Sequence, residues 1–543
     1  MRTLLFLSIP ILFTSCFKSK QADLIVHNAQ IYTCDEDFNV YDAMAIKDGK
    51  IIEVGAEREI MNRYVANEVI DAEWKAVFPG FHDAHCHFEG YAKTLIEVDL
   101  TGSKSYDEMI DRIVEFEKKN EMEWCTGRGW DHTLWPGKKF PTNERLNKIF
   151  PEKPVAFRRV DGHAAIVNQK ALDIAGITPE TVIPGGEIVV KDGKCTGLLL
   201  DNAFDSLAVH IPVLSEEEML PIMQQAQEDL FEVGLTSIND AGIEHKDLDK
   251  FIKWYSNGDL KIKNYCMLFP DEENLAFAKD SGIYRTGNLH IRSFKIVADG
   301  SLGSRSACLL EEYADQHGHF GFLLRDPEAI KEIAELAVML DYQVNTHCIG
   351  DSTNRTILKI YEEVIGSVSD HRWKIEHAQV LAPKDFDYFE MYNIIPSVQP
   401  THCTSDMRWA EERLGSSRVK HAYAYQVLLD RAGKIALGTD FPVEGISPLE
   451  TFYAAVSRQD KDGYPENGFQ SENALDPMDA LYGMTIWPAY SNFENHEKGS
   501  LEAGKAADFV ILDRDIMRIR YEDILNTFVV ATYLNGKKVY SAK

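Results

Sequence analysis

Eight short apolar runs mark the middle of this chain, at residues 76–83, 234–240, 261–268, 291–297, 342–347, 372–377, 394–399 and 434–439. Helical stretches separate them. Asp326 to Asp341 repeats apolar residues at Ile330, Ile333, Ala334, Leu336, Ala337 and Leu340, and Asn354 to Ile365 precedes the sixth run. Parallel strands need a crossover long enough to hold a helix, so this alternation predicts α/β architecture. Eight strands predict a TIM-like (β/α)8 barrel, in which chemistry gathers where strands end and βα loops begin.

Those ends are rich in metal ligands. In Pro79-Gly80-Phe81-His82-Asp83-Ala84-His85-Cys86-His87 two histidines stand two residues apart, so on a strand His85 and His87 share a side and can converge on one ion. Lys295 lies on the fourth run, His347 ends the fifth, His377 ends the sixth and Asp440 follows the eighth. Any one of these alone reads more readily as a satisfied core or surface residue. Six on one rim read as a metal site.

Both chain ends read as strand, turn, strand. Residues 23–75 hold Asp23-Leu24-Ile25-Val26, Ala43-Met44-Ala45-Ile46 and Ile51-Ile52-Glu53-Val54-Gly55 around an Asp48-Gly49 turn. Residues 496–543 answer with runs at 507–512 and 529–540. A small composite β-sandwich built from both ends is expected, flanking a barrel over residues 76–495. The connection at about 88–233 is far longer than an ordinary βα loop and must emerge on the active rim. It is placed to form a lid or pocket, with Trp130, Asp131 and His163 as candidate substrate contacts. The competing reading puts Trp130 in the insertion's own core and Asp161-Gly162 in a turn. His82, His132 and His402 are expected to be structural, and the apolar stripe of Glu216 to Val233 to pack on the barrel.

With 86 acidic against 57 basic residues and a formal net charge of −29, the chain offers no basic face to a nucleic acid. Met1-Arg2, the apolar run Leu4 to Phe13 and Thr14-Ser15-Cys16 predict a signal peptide over residues 1–15, too short to span a bilayer. This start resembles a bacterial lipoprotein signal, with Cys16 as the acylated first residue and residues 16–22 as a tether; an ordinary cleaved signal is the alternative. The expectation is an exported protein, lipid-anchored to a bacterial cell membrane or outer membrane and facing the periplasm or the surface, with no other membrane contact. The remaining eight cysteines have no C-x-x-C pair and read as small core residues. Self-association is left open.

Six runs carry a further resemblance: the Pro79–His87 segment above, Gly127-Arg128-Gly129-Trp130-Asp131, Asp161-Gly162-His163-Ala164-Ala165, Gly234-Leu235-Thr236-Ser237-Ile238-Asn239-Asp240-Ala241-Gly242, Lys295-Ile296-Val297-Ala298-Asp299-Gly300-Ser301 and Leu437-Gly438-Thr439-Asp440-Phe441-Pro442. In order, and over nearly the whole mature chain, they resemble the metal-dependent amidohydrolase superfamily, in its N-substituted formamide deformylase-like branch. The resemblance implies His85, His87, His347, His377 and Asp440 as metal ligands, with Lys295 as a bridging ligand when carboxylated. An unmodified Lys295 would instead partner a buried acid.

Such a donor set suits zinc or a similar divalent ion, one or two per chain, which acidifies water toward neutral pH and polarises a carbonyl. Asp440 is then the natural general base, taking the water's proton and passing it to a leaving nitrogen. The expected activity is hydrolysis of a C–N bond in a small-molecule amide, an N-acyl or N-formyl compound. Deamination or cyclic-amide opening on the same site is the runner-up, and a non-catalytic solute-binding surface lipoprotein is the alternative of a different class.

Overall fold

The computed structural model describes residues 20–120, 122–366 and 370–542; the signal segment and Cys16 lie outside the described residues. Eight parallel strands of the central sheet form the barrel: β1 (Phe81–Cys86), β2 (Leu235–Ile243), β3 (Lys263–Leu268), β4 (Leu289–Val297), β5 (Gln343–Cys348), β6 (Lys374–His377), β7 (Ile395–Val398) and β8 (Ala436–Leu437), with Tyr284–Thr286 added antiparallel to β4. Each pairs in parallel with the next. At the C-terminal rim the segment after β8 returns to β1, where Asp440 N donates to His85 O and Phe441 O accepts from His87 N, both at 2.8 Å. The approach is so close that a Cβ on Gly438 would lie 2.6 Å from the His85 nitrogen, which only glycine avoids. Asp83 fastens the same seam, accepting from Thr439 Oγ1 at 2.7 Å and His85 N at 3.0 Å.

The expected helices cover this sheet. Pro327–Leu340, capped by Asp326, buries Ile330, Ile333, Ala334 and Ala337, and Asp351–Ile365 follows β5. Glu216–Glu232 starts with a reciprocal Ser215–Glu218 capping box and buries Met219, Met223, Ala226, Leu230 and Phe231.

Two further sheets come from the ends. One orders Lys50–Gly55, Ala43–Lys47, Lys20–His27 and Tyr64–Asp71; the other orders Lys537–Ser541, Val529–Leu534, Phe509–Leu512, Ala76–Pro79, Gln30–Tyr32 and Val40–Tyr41. Two sequence expectations are corrected here. The run 76–83 is not one strand, because Ala76–Pro79 belongs to the terminal sheet and Phe81 opens the barrel. Gly80 N donates to Asp508 O while Phe81 N donates to Gly234 O, so consecutive residues serve different sheets. The tether also ends earlier than residue 22, since Lys20, Gln21 and Ala22 already pair with Tyr64, Val65 and Ala66 and Ala22 is fully buried.

The insertion is a structural unit in its own right. Its sheet orders Gly186–Lys191, Lys194–Asp201, Ala164–Val167, Val155–Arg159, Cys125–Trp130 and Val98–Asp99, with an apolar cluster on each face. It meets the barrel mouth where Ser301 Oγ donates to Asp161 Oδ2 at 2.6 Å. The eight described cysteines are unpaired, six of them buried.

Candidate metal centre and active site

Strand ends bring His85, His377 and Asp440 together, with one donor atom from each lying within 4.8 Å of the others. The backbone that aims them is unusual: His377 has φ 73° and Asp440 has φ 61°, in the left-handed region. Such conformations cost free energy and persist where the surroundings impose them, as at functional sites.

Each ring is oriented from behind. His85 Nδ1 lies 2.6 Å from Glu376 Oε2, and both side chains are fully enclosed. His377 Nδ1 lies 2.7 Å from Gln399 Oε1. A carboxylate or amide oxygen on Nδ1 fixes the tautomer and leaves the Nε2 lone pair for an ion. Burial, assisted by the neighbouring Lys295 charge, pushes His85 down to about 4. Burial also holds His347 and His377 well below the ordinary histidine value, helped by the neighbouring His163 and His347 respectively. At neutral pH these rings are lone-pair donors.

His87 Nε2 approaches Asp440 Oδ1 to 3.1 Å, yet that oxygen is buried without a hydrogen-bond partner. Burial would raise the Asp440 carboxyl, but contact with His87 and the surrounding imidazoles hold it well below its usual range. An ionised, unpaired oxygen facing imidazole nitrogens is the donor set a divalent cation takes, so these residues fit a metal. Lys295 Nζ sits 3.0 Å from His85 Nε2. Burial lowers its amine to about 8 against the pull of Glu376 and Asp440. His347 stands to one side, its ring 4.6 Å from that of His377 and its Nε2 3.5 Å from Gly300 O.

The three insertion residues separate. His163 reaches the centre, its ring 5.2 Å from His347, and its Nδ1 lies 2.6 Å from Asp201 Oδ1. Asp131 turns away, accepting from Thr133 N and Arg159 Nη2. Trp130 corrects the substrate-contact expectation: it is 0% exposed in the insertion's core, with Nε1 donating to Phe157 O at 2.8 Å. Three residues were missed as site members. Glu376 and Gln399 orient the rings, and His402, expected to be structural, stacks on His377 at 5.9 Å with its Nε2 3.6 Å from Asp440 Oδ2. The short distance in sequence from the seventh run was the one signal for His402.

A parallel eight-stranded barrel with a histidine and aspartate cluster at its C-terminal mouth defines a metal-dependent hydrolase. The amidohydrolase family matches residues 68–540, and the chain belongs to that family. Among similar proteins, LONG AFTER FAR-RED 3 of Arabidopsis thaliana is 32% identical, over 96% of this chain and 92% of its own. The N-substituted formamide deformylase of Arthrobacter pascens is 24% identical, over 95% and 98% respectively. An uncharacterized metal-dependent hydrolase from Pyrococcus horikoshii has a similar structure, with a TM-score of 0.75 at 29% identity, covering 92% of this chain and 99% of that one.

Proposed function

We propose that this hydrolase cleaves the C–N bond of a small N-acyl or N-formyl amide. The observation that carries it is Asp440, an ionised carboxylate with a free oxygen amid neutral imidazoles. His85, His87, His377 and Asp440 would hold a first divalent ion, with zinc favoured by the nitrogen-rich set, and Lys295, if carboxylated, and His347 would contribute to holding a second. The ion would supply Lewis acidity, acidifying water and polarising the amide carbonyl. Asp440 takes the attacking water's proton and returns it to the leaving nitrogen. His402, beside Asp440 Oδ2, borders the path that proton follows. Glu376 and Gln399 keep the ring tautomers fixed throughout. His163 extends from the insertion over the mouth to orient the substrate.

The test is metal content by elemental mass spectrometry on protein purified without chelator, with turnover of an N-acyl and N-formyl amide panel. About one or two zinc equivalents and release of free amine, abolished in Asp440→Asn, support the proposal. Metal-free protein that stays inactive after zinc addition overturns it. The start of the chain carries a separate proposal of export and acylation at Cys16. Intact-mass analysis of the detergent-extracted protein, with Cys16→Ser as control, tests it.

A further inference from the structure

The insertion sheet sets two arginines side by side. In the parallel pairing of Cys125–Trp130 with Val155–Arg159, Arg128 is the register partner of Arg158, so both side chains leave the same face. Like charges placed opposite each other in a sheet repel, and the ion pairs formed next to them belong to Arg159, with Asp131 and Asp161. The nearby acids lie outside ion-pair contact: burial raises Glu97 and Asp205, and Arg158 lowers both, with Arg128 also lowering Glu97. Asp99, next along the row, accepts from Thr101 N at 2.9 Å, and Glu97 takes the Thr126 hydroxyl at 3.1 Å. Arg158 rests its guanidinium over the Phe204 ring at 4.6 Å. Arg128 Nη2 donates to Val160 O at 3.0 Å, while its buried Nε has no partner.

The pair stands at the barrel mouth. Arg128 Nη2 would lie 3.1 Å from a Cβ on Gly162, whose φ of +76° bends the chain over the guanidinium. The next residue is His163, packed on His347. Burial lowers Arg128 to about 10, Arg158 pushes it the same way, and Asp440, Asp161 and Glu97 pull it back. Two guanidiniums partly removed from water with acids nearby but none in ion-pair contact are incompletely compensated, and a planar anion taking their forked donors would complete the pairing.

We propose that Arg128 and Arg158 form an anion seat, so that the amides this enzyme cleaves carry a carboxylate, as N-acyl and N-formyl amino acids do. This rests on the hydrolase proposal above and names its substrate class. One end of the substrate docks on the insertion while its amide meets the centre beneath His163.

The test pairs N-acetyl and N-formyl amino acids with their C-terminal carboxamides, which match them in shape and lack the charge. Holoenzyme is assayed for kcat/KM and, by calorimetry, for binding. The carboxylates are expected to exceed the carboxamides at least 30-fold, about 2 kcal/mol at 1.4 kcal/mol per tenfold. Arg128→Gln and Arg158→Gln should each shrink that ratio toward one, and Arg128→Lys should recover it only in part because the fork is lost. Metal content and melting temperature of each variant exclude a folding failure. Carboxamides cleaved as well as carboxylates overturn the anion seat and leave the hydrolase proposal standing. Carboxylates that bind in an arginine-dependent way without turnover support the seat and overturn the hydrolase proposal for this class. Neither binding nor cleavage of the carboxylates overturns both.

Discussion

Glu376→Gln removes one charge and almost no volume. Glu376 Oε2 accepts from His85 Nδ1 at 2.6 Å, Oε1 lies 3.4 Å from Lys374 Nζ, and all three side chains are fully enclosed. The same charge opposes the burial that lowers Lys295. Glutamine keeps an acceptor for His85 but leaves the buried Lys374 amine without its counter-charge and Lys295 with Asp440 alone. Removing one partner of a buried pair costs about 3–5 kcal/mol. The lysines escape part of that by releasing protons, so the expected loss at pH 7 is about 3 kcal/mol, roughly 100-fold in the folding constant. A looser His85 ring should also weaken metal binding about 10–100-fold. Urea unfolding of apo-protein measures the first effect, and zinc competition against a chromophoric chelator measures the second. Burial would raise the Glu376 carboxyl, but Lys374 and His85 outweigh it and hold it far below the ordinary value. Its stabilisation is therefore complete above about pH 4.3 and is lost as pH falls below that. The gap between wild type and variant should close in acid. Stability and zinc affinity both within twofold of wild type at pH 7 would refute Glu376 as the group that orients His85 and balances the lysines.

Asp440→Asn at saturating zinc should lower kcat by about 10²- to 10⁴-fold, and an unchanged kcat removes Asp440 as the base. Gly438→Ala drives a Cβ to 2.6 Å from the His85 nitrogen and 2.7 Å from Asp83 Oδ1. The strain should cost about 1–3 kcal/mol, read as a lower melting temperature with reduced zinc stoichiometry; an unaltered melt would mean β1 and β8 can part freely. Burial holds Lys295 at about 8, below the unfolded value of about 10.4, so the unfolded chain binds more protons between those limits and stability rises with pH across them. In CO2-free apo-protein the gain should approach about 3 kcal/mol and be missing from Lys295→Met, as followed by urea midpoints from pH 7.5 to 10.5. Equal slopes in the two proteins would show that Lys295 does not titrate there.

What the sequence made legible was whatever obeys strand periodicity and strand ends. The barrel order and the strand-end positions of His85, His347, His377 and Asp440 follow from where apolar runs stop, whereas His87 lies past the end of β1 at the cap of the next helix. Lys374-Ile375-Glu376-His377 shows where that logic fails. A period of two puts Lys374 and Glu376 on one side of β6 and sends His377 to the other, so Glu376 and His377 should not both serve the centre. The φ of 73° at His377 turns its ring back toward His85, 4.8 Å away, and so a strand that alternates still supplies both a ligand and the carboxylate behind another ligand. No local pattern announces that reversal, because tertiary contacts impose it. Trp130 fails for a related reason: the sequence does not reveal that residues 98–201 make a sheet with two cores, and without that sheet the inward face of Cys125–Trp130 is unassigned. The same missing register hid Arg128 beside Arg158, thirty residues apart in the chain and neighbours only once the two strands pair. Residues that act by ending an element can be read from the chain, whereas residues that act through a cross-strand partner become visible only with the pairing.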